Sequence, residues 1–257
     1  MYRHQRKSLG DINLSSLSLF TLFAYLLIGC NSYPDYIDVS GQVIYQDQYQ
    51  NTIAHGGISN VSLVPTSAPG GHYYSTVTDT DGNWRISNVK TADYRIMVTK
   101  SGYGTAETGF GIFNSKANNG SIKVWIGQIP TFGVTGLTPY FAKDTLVIIG
   151  VVTDRTANTR RVAVYLGKDS TVSNENFSAQ IIPLFNEIGG STDVPPSDSV
   201  FKVVWRSLPN EFYSTGSRVY VAAYGCTGVS WIFMVGTQPN IQTDVNAAPA
   251  RTSIIVP

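Results

Sequence analysis

The chain has 257 residues, with Lys+Arg 18 against Asp+Glu 17, 14% charged and 42% hydrophobic residues. Outside the first ten residues Arg160-Arg161 is the one adjacent basic pair, so the basic face that a nucleic-acid partner demands is excluded. Two cysteines, Cys30 and Cys226, exclude a multi-bridge disulfide framework. The chain starts with Arg3, Arg6 and Lys7, and an apolar run follows from Leu14 to Ile28. At fifteen residues the run falls short of the roughly twenty that a membrane-spanning helix needs. A basic start and a short apolar middle are the layout of a secretory signal.

The run ends Leu27-Ile28-Gly29-Cys30, which resembles the lipobox of bacterial lipoproteins. The resemblance implies a signal peptide over 1–29, cleaved to leave Cys30 acylated, and a membrane tether over 30–36. Each buried acyl CH₂ adds about 0.8 kcal/mol, and several chains together anchor stably. The membrane is then a partner through lipidated Cys30. Asn31 after the cysteine fits anchoring at the outer membrane, with the periplasmic and the outward side both open. Removing residues 1–29 leaves 228 of the 257, with 15 Lys+Arg against 16 Asp+Glu. Cys226 is then alone, so an exported chain of this size must rely on a proper apolar core.

Next come short β-rich runs between turn signals. Ile37–Tyr45, Ser59–Val64, Tyr73–Asp79, Trp84–Val89 and Ser121–Ile126 are strand candidates. In a further one, Tyr94, Ile96 and Val98 alternate with Arg95, Met97 and Thr99, a period of two. Long helical patterns are absent, and the expected class is all-β, two antiparallel β-sandwich domains. The stretch Thr78–Trp84, TDTDGNW, invites a calcium-loop reading. With Gly82 as the sixth loop position, the first is Val77 and the twelfth Asn88. Both positions need a carboxylate, so a tight turn is preferred, with Gly82 supplying positive φ. No metal or other cofactor is expected.

"VSGQVIY", "ISNVSLVP", "TVTDTDGNWRISNV", "YRIMVTKSGY" and "SIKVWIG" together resemble the carboxypeptidase-regulatory-like, transthyretin-like β-sandwich over 37–127. Asp93 stands where that family usually has glycine, and an insert from Gly104 to Gly120 separates the last two strands. Gly127–Pro139, GQIPTFGVTGLTP, is the best boundary, giving a linker over 128–139 and a second sandwich over 140–257. Its strand candidates are Thr145–Thr153, Arg161–Lys168, Ser178–Phe185, Val200–Arg206, Arg218–Tyr224, Ser230–Val235 and Thr252–Val256. "IIGVVTD", "RRVAVYLGKD" and "FYSTGSRVYVAAYG" resemble fibronectin-III-like strands, and an immunoglobulin-like module of another family fits equally.

Beyond the signal only His55 and His72 are histidines. HExxH, CxxC, G-x-S-x-G and a phosphate-binding glycine loop are all missing. No catalytic residue is assigned. Cys226, at the end of an apolar strand, reads as a small buried hydrophobe. A glycosidase pair among Glu107, Glu175, Glu187 and Glu211 is the enzymatic alternative. Two places are candidates for ligand binding. Tyr73 and Tyr74 are adjacent on a strand, so one must point away from the core. In "SWIFMVG", Trp231 and Phe233 share one face while Ile232 and Met234 share the other. The outer face of that strand is covered by the linker or the first domain, or meets a partner.

These readings point to a non-catalytic envelope lipoprotein that binds or scaffolds. Its make-up resembles accessory proteins of outer-membrane glycan-uptake systems, which implies glycan capture. The alternatives are a structural or adhesive partner of another envelope protein, and a glycoside hydrolase.

Overall fold

The computed structural model describes residues 36–66, 72–112, 122–154, 157–181, 193–194, 199–205, 208, 212, 214–228, 231–232 and 241–257. Cys30 and the signal segment lie outside them. Tyr36–Pro257 forms one unit, built around two main hydrophobic cores with a third, smaller cluster beside the second. Among the described residues there is no α-helix.

The first core lies between two sheets. Its strands are β1 (Tyr36–Gln46), β2 (Thr52–Ile53), β3 (Asn60–Pro65), β4 (Tyr74–Val77), β5 (Asn83–Lys90), β6 (Asp93–Thr99), β7 (Ala106–Ile112) and β8 (Ile122–Gly127). One sheet runs β4-β3-β6-β7, all antiparallel. The other is organised on β1, which pairs antiparallel with β5 and β2 and parallel with β8. Gly41–Gln42 bonds both β5 and β8, and Tyr45–Gln46 bonds both β2 and β8. So β5 and β2 share one side of β1, and β8 occupies the other.

The period-two pattern decides which residues are inside. Val39, Val43 and Tyr45 of β1 are buried, as are Val61, Leu63, Tyr94, Ile96, Val98, Val124 and Ile126. Each full burial of such an aliphatic side chain contributes about 1.5–3 kcal/mol. The phase slips once, in β5. Trp84 and Ile86 are buried, but the next inward residue is Val89. Asn88 takes φ 56° there, and the β1 register shifts between Ile37 and Val39. Asp38 secures this bulge by accepting the Asn88 N–H at 3.1 Å and pairing with Arg85.

The second core is enclosed by β9 (Val134–Ala142), β10 (Thr145–Val152), β11 (Arg160–Gly167), β12 (Ala179–Ile181), β13 (Asp193–Val194), β14 (Val200–Trp205), β15 (Arg218–Cys226) and β18 (Ala250–Ile255). Between β15 and β18 lies a small ribbon of β16 (Trp231–Ile232) and β17 (Ile241–Gln242). One sheet is β14-β10-β9; the other is β12-β11-β15-β18, with β13 also on β11. Val162, Val164, Leu166, Val219, Val221 and Ala223 face the main core. The opposite face of β11 and β15 is also covered: Ala163, Tyr165, Ala222, Tyr224 and Cys226 lie under Val172 and Phe177. Burial on both faces is why these two strands read as continuous apolar runs.

Two stretches differ from the sequence reading. Residues 134–139, expected as linker, begin β9. Gly136 and Pro139 looked like breakers, but Gly136 sits at φ 59° beside a register shift opposite Ile149–Val151. Pro is tolerated because β9 is last in its sheet. The expected insert from Gly104 to Gly120 supplies β7, whose glycines hid its strand character.

The segment between β1 and β2 ties the two cores together. Gln48 Oε1 accepts from Thr131 N and Oγ1 at 2.9 and 3.0 Å. The Tyr49 ring stacks on Phe132, centroids 6.3 Å apart and 9° from parallel. Gln50 Nε2 donates to Thr227 O, and Thr227 Oγ1 donates to Gln128 O.

Candidate functional site

The outer face of the β1 sheet carries an unusual set of groups. Inward residues of β1 alternate with Ser40, Gln42, Ile44 and Gln46, which therefore point outward. In the parallel register Gln42 pairs with Lys123, and Ile44 with Trp125. Paired residues share a face, so Lys123 and Trp125 stand outward beside them. Trp125 is 45% exposed. On the other side of β1 the antiparallel register sets Asn83 opposite Gln42 and Arg85 opposite Ser40. The result is a polar sheet face with one open indole ring next to an aliphatic side chain.

Two hollows flank Gln42. One, about 290 Å³, is lined by Gln42, Ile44, Thr52, His55 and Asp81 among others. The second, about 280 Å³, is lined by Ser40, Gln42, Asn83, Trp84 and Lys123 among others. At the rim of the first, His55 Nδ1 pairs with Asp81 Oδ1, and both side chains are exposed. His55 has φ 56°, a conformation that non-glycine residues adopt at a cost. The chain reaches it because Gly56 and Gly57 pass close to Tyr45. A Cβ at Gly56 would lie 2.1 Å from that ring. Tyr45 Oη in turn donates to Gly57 O at 2.6 Å and accepts from Ser59 Oγ at 2.9 Å. A buried hydroxyl network thus holds the His55 loop over the sheet.

Asp81 is set by the neighbouring turn. Asp79 Oδ1 accepts the N–H groups of Asp81 and Asn83 at 2.9 and 2.8 Å, and Asp79 Oδ2 accepts from Asn83 Nδ2 at 3.0 Å. The Asn83 side chain, then its backbone N–H, hold the Asp79 carboxyl below its ordinary pKa. Gly82 has φ 83°. The Asp79–Asn83 stretch is thus a turn capped by its own carboxylate. Among the described residues no group of three or more His, Cys, Asp or Glu is placed to hold a metal ion.

The residues singled out from sequence lie elsewhere. Tyr73 is 77% exposed. Tyr74 is half-buried, accepts the Lys90 N–H at 3.0 Å and meets Tyr94 edge-on at 5.9 Å, so it is part of the packing. Trp231 opens β16, which runs beside β7; its side chain lies outside the described residues, as does Phe233 altogether. β4 and β7 are opposite edges of one sheet, so the tyrosines and β16 do not meet. Glu107 pairs with Arg95 at 3.1 Å in the first sandwich, and Glu175 lies in a loop of the second. Glu187 and Glu211 lie outside the described residues. The sequence reading missed Trp125. "IKVWIG" held the signal, since a tryptophan two residues from a lysine on a strand shares its outward face.

Residues 39–123 match the family described as the carboxypeptidase regulatory-like domain. No curated protein matches the chain. Among solved structures, a candidate carbohydrate-binding protein from Bacteroides uniformis is similar at 12% identity, with a TM-score of 0.31, over 87% of this chain and 100% of that one. A DUF3823 family protein from Bacteroides ovatus is similar at 12% identity, with a TM-score of 0.30, over 83% and 98%. The major pilin SpaD of Corynebacterium diphtheriae shows 8% identity and a TM-score of 0.29 over 87% and 67%. The stretch from Val39 to Lys123 within the β1–β8 sandwich is thus similar to the carboxypeptidase regulatory-like domain.

Proposed function

We propose that this chain is a non-catalytic binding module, held at the outer membrane through acylated Cys30, and that it takes a glycan across β1 and β8. The observation that carries the reading is Trp125, 45% exposed on a sheet face shared with Gln42, Ile44 and Lys123. A sugar ring has an apolar C–H face and a rim of hydroxyls. An indole offers the electron-rich surface that such C–H groups meet, and amide and ammonium groups pair with the rim. The two hollows beside Gln42 would accommodate neighbouring units of a chain. Glu107, the half of a glycosidase pair nearest this sandwich, is engaged with Arg95. That supports binding over hydrolysis.

A glycan array probed with the full chain in detergent tests this. Wild type should bind a set of oligosaccharides, and Trp125→Ala should lose them while melting within about 1 kcal/mol of wild type, as exposed substitutions do. Unchanged glycan binding in Trp125→Ala would remove the site. An array with no positive signal, together with capture of a defined envelope protein, would favour the scaffolding alternative.

A further inference from the structure

The second sandwich carries a separate surface hollow, about 430 Å³, lined by Ser170, Val172, Tyr220, Arg251, Thr252 and Ser253. It lies on the outer face of β15 and β18. In their register Tyr220 pairs with Ser253, Ala222 with Arg251, and Arg218 with Ile255. Arg218, Tyr220, Arg251 and Ser253 therefore share one face, and the loop after β11 brings Ser170 and Val172 over it. Arg251 is held in place: its Nε donates to Val172 O at 3.3 Å, and its guanidinium bonds the Tyr224 hydroxyl. Arg218 donates to Ser253 Oγ at 3.1 Å.

The lining of the hollow holds a basic side chain and no acidic one. Among the described residues neither arginine forms a salt bridge. Of the loop carboxylates, Asp169 is turned onto Thr171, accepting from its N–H at 2.8 Å and from its hydroxyl, and Glu175 lies near the Tyr224 hydroxyl without lining the hollow. The Arg251 guanidinium and the hydroxyls of Ser170, Tyr220 and Ser253 line the hollow with no acid among the lining side chains, and Arg218 stands beside it through its bond to Ser253. A planar carboxylate has two oxygens and is satisfied by one guanidinium fork. Donors arriving from two strands and a loop match an anion that presents oxygens in three dimensions.

We propose that this hollow binds a tetrahedral oxyanion, a phosphate or sulfate group, free or as an ester on a saccharide. Arg251 and Arg218 supply the charge-assisted bonds, and Ser170, Tyr220 and Ser253 the neutral ones. The site is independent of Trp125.

The test titrates the full chain in detergent with sodium sulfate and sodium phosphate, ionic strength being held constant with sodium chloride. Backbone amide resonances are followed by NMR. The expected result is saturable shifts clustered at Ser170, Tyr220, Arg251 and Ser253, with sodium acetate binding about ten-fold more weakly. Arg251→Gln and Arg218→Gln should each weaken sulfate binding by about ten-fold, the loss of one strong charge-assisted contact. If Arg251→Gln melts early because Val172 O has lost its donor, Arg218→Gln decides. Glucose 6-sulfate binding more tightly than sulfate identifies a sugar ester as the ligand, and equal binding identifies the free anion. Non-saturable shifts, shifts reproduced by chloride alone, acetate binding as tightly as sulfate, or unchanged affinity in Arg218→Gln would overturn the assignment.

Discussion

Replacing Gly82 by alanine tests the turn that positions Asp81. Gly82 has φ 83°, and for a residue with a Cβ that conformation costs about 1–2 kcal/mol. A second cost is particular to this site. The added Cβ would lie 2.1 Å from Val43 O. That atom is backbone in the central strand and cannot swing aside. The collision must push the turn away from β1, and the Val43 N–H bond to Gly82 O, now 2.8 Å, lengthens or breaks. A lost bond of this kind adds about 1 kcal/mol. The total is about 2–3 kcal/mol, which for a chain of this size lowers the melting temperature by about 5–10 °C. Gly102 provides the control. It also has positive φ, 78°, but nothing lies within 4 Å of its added Cβ. Gly102→Ala should therefore show the conformational cost alone. Thermal melts by circular dichroism of the two variants and wild type measure the difference. Equal losses for the two variants would refute the collision argument. Recovery of Gly82→Ala, or a large gain in wild type, on adding calcium would refute the reading of this stretch as a self-capped turn.

Other expected outcomes follow from the same structure. Cys30→Ser should abolish metabolic labelling with a fatty-acid analogue, and equal labelling would remove the lipobox reading. Tyr49→Ala removes a ring stacked on Phe132 and should cost about 2 kcal/mol, below the 3–5 of a fully buried aromatic; denaturant melts measure it, and an unchanged midpoint would show that the junction adds no stability. Asp38 and Asp79 have carboxyls held low in the folded state, by Arg85 first in one case and Asn83 first in the other. A depressed folded pKa contributes stability that is present above the ordinary carboxylate pKa and lost as pH falls through the lower, folded value. Melting temperature should accordingly fall on acidification below about pH 4, and Asp79→Asn should flatten part of that slope.

The architecture was largely legible because β-sandwich strands announce themselves by alternation. Tyr94, Ile96 and Val98 are all inward, as their spacing demands. The boundaries that slipped did so for local reasons. β5 contains a bulge at Asn88, and no alternation rule anticipates a one-residue phase change. β9 contains Gly136 and Pro139, residues that end strands in the middle of a sheet and are accommodated at its edge. β7, with glycines at 109 and 111, lacks the side chains that make a strand visible.

The binding face was harder to read, and the reason is physical. Alternation says which residues leave the core, but it says nothing about which outward residues become neighbours. That depends on strand order and register. Trp125 and Gln42 are far apart in sequence and come onto one sheet face because β8 joins β1 in parallel, shifted so that Ile44 faces Trp125. Arg251 and Tyr220 meet likewise because β18 returns to β15 with Ser253 opposite Tyr220. Tyr73 and Tyr74 drew attention as adjacent tyrosines, yet adjacency on a strand guarantees opposite faces. One of them is bound into the packing by Lys90 and Tyr94, and the other is exposed. In an all-β chain a surface site is assembled across strands, so cross-strand register, more than local composition, determines where side chains can act together.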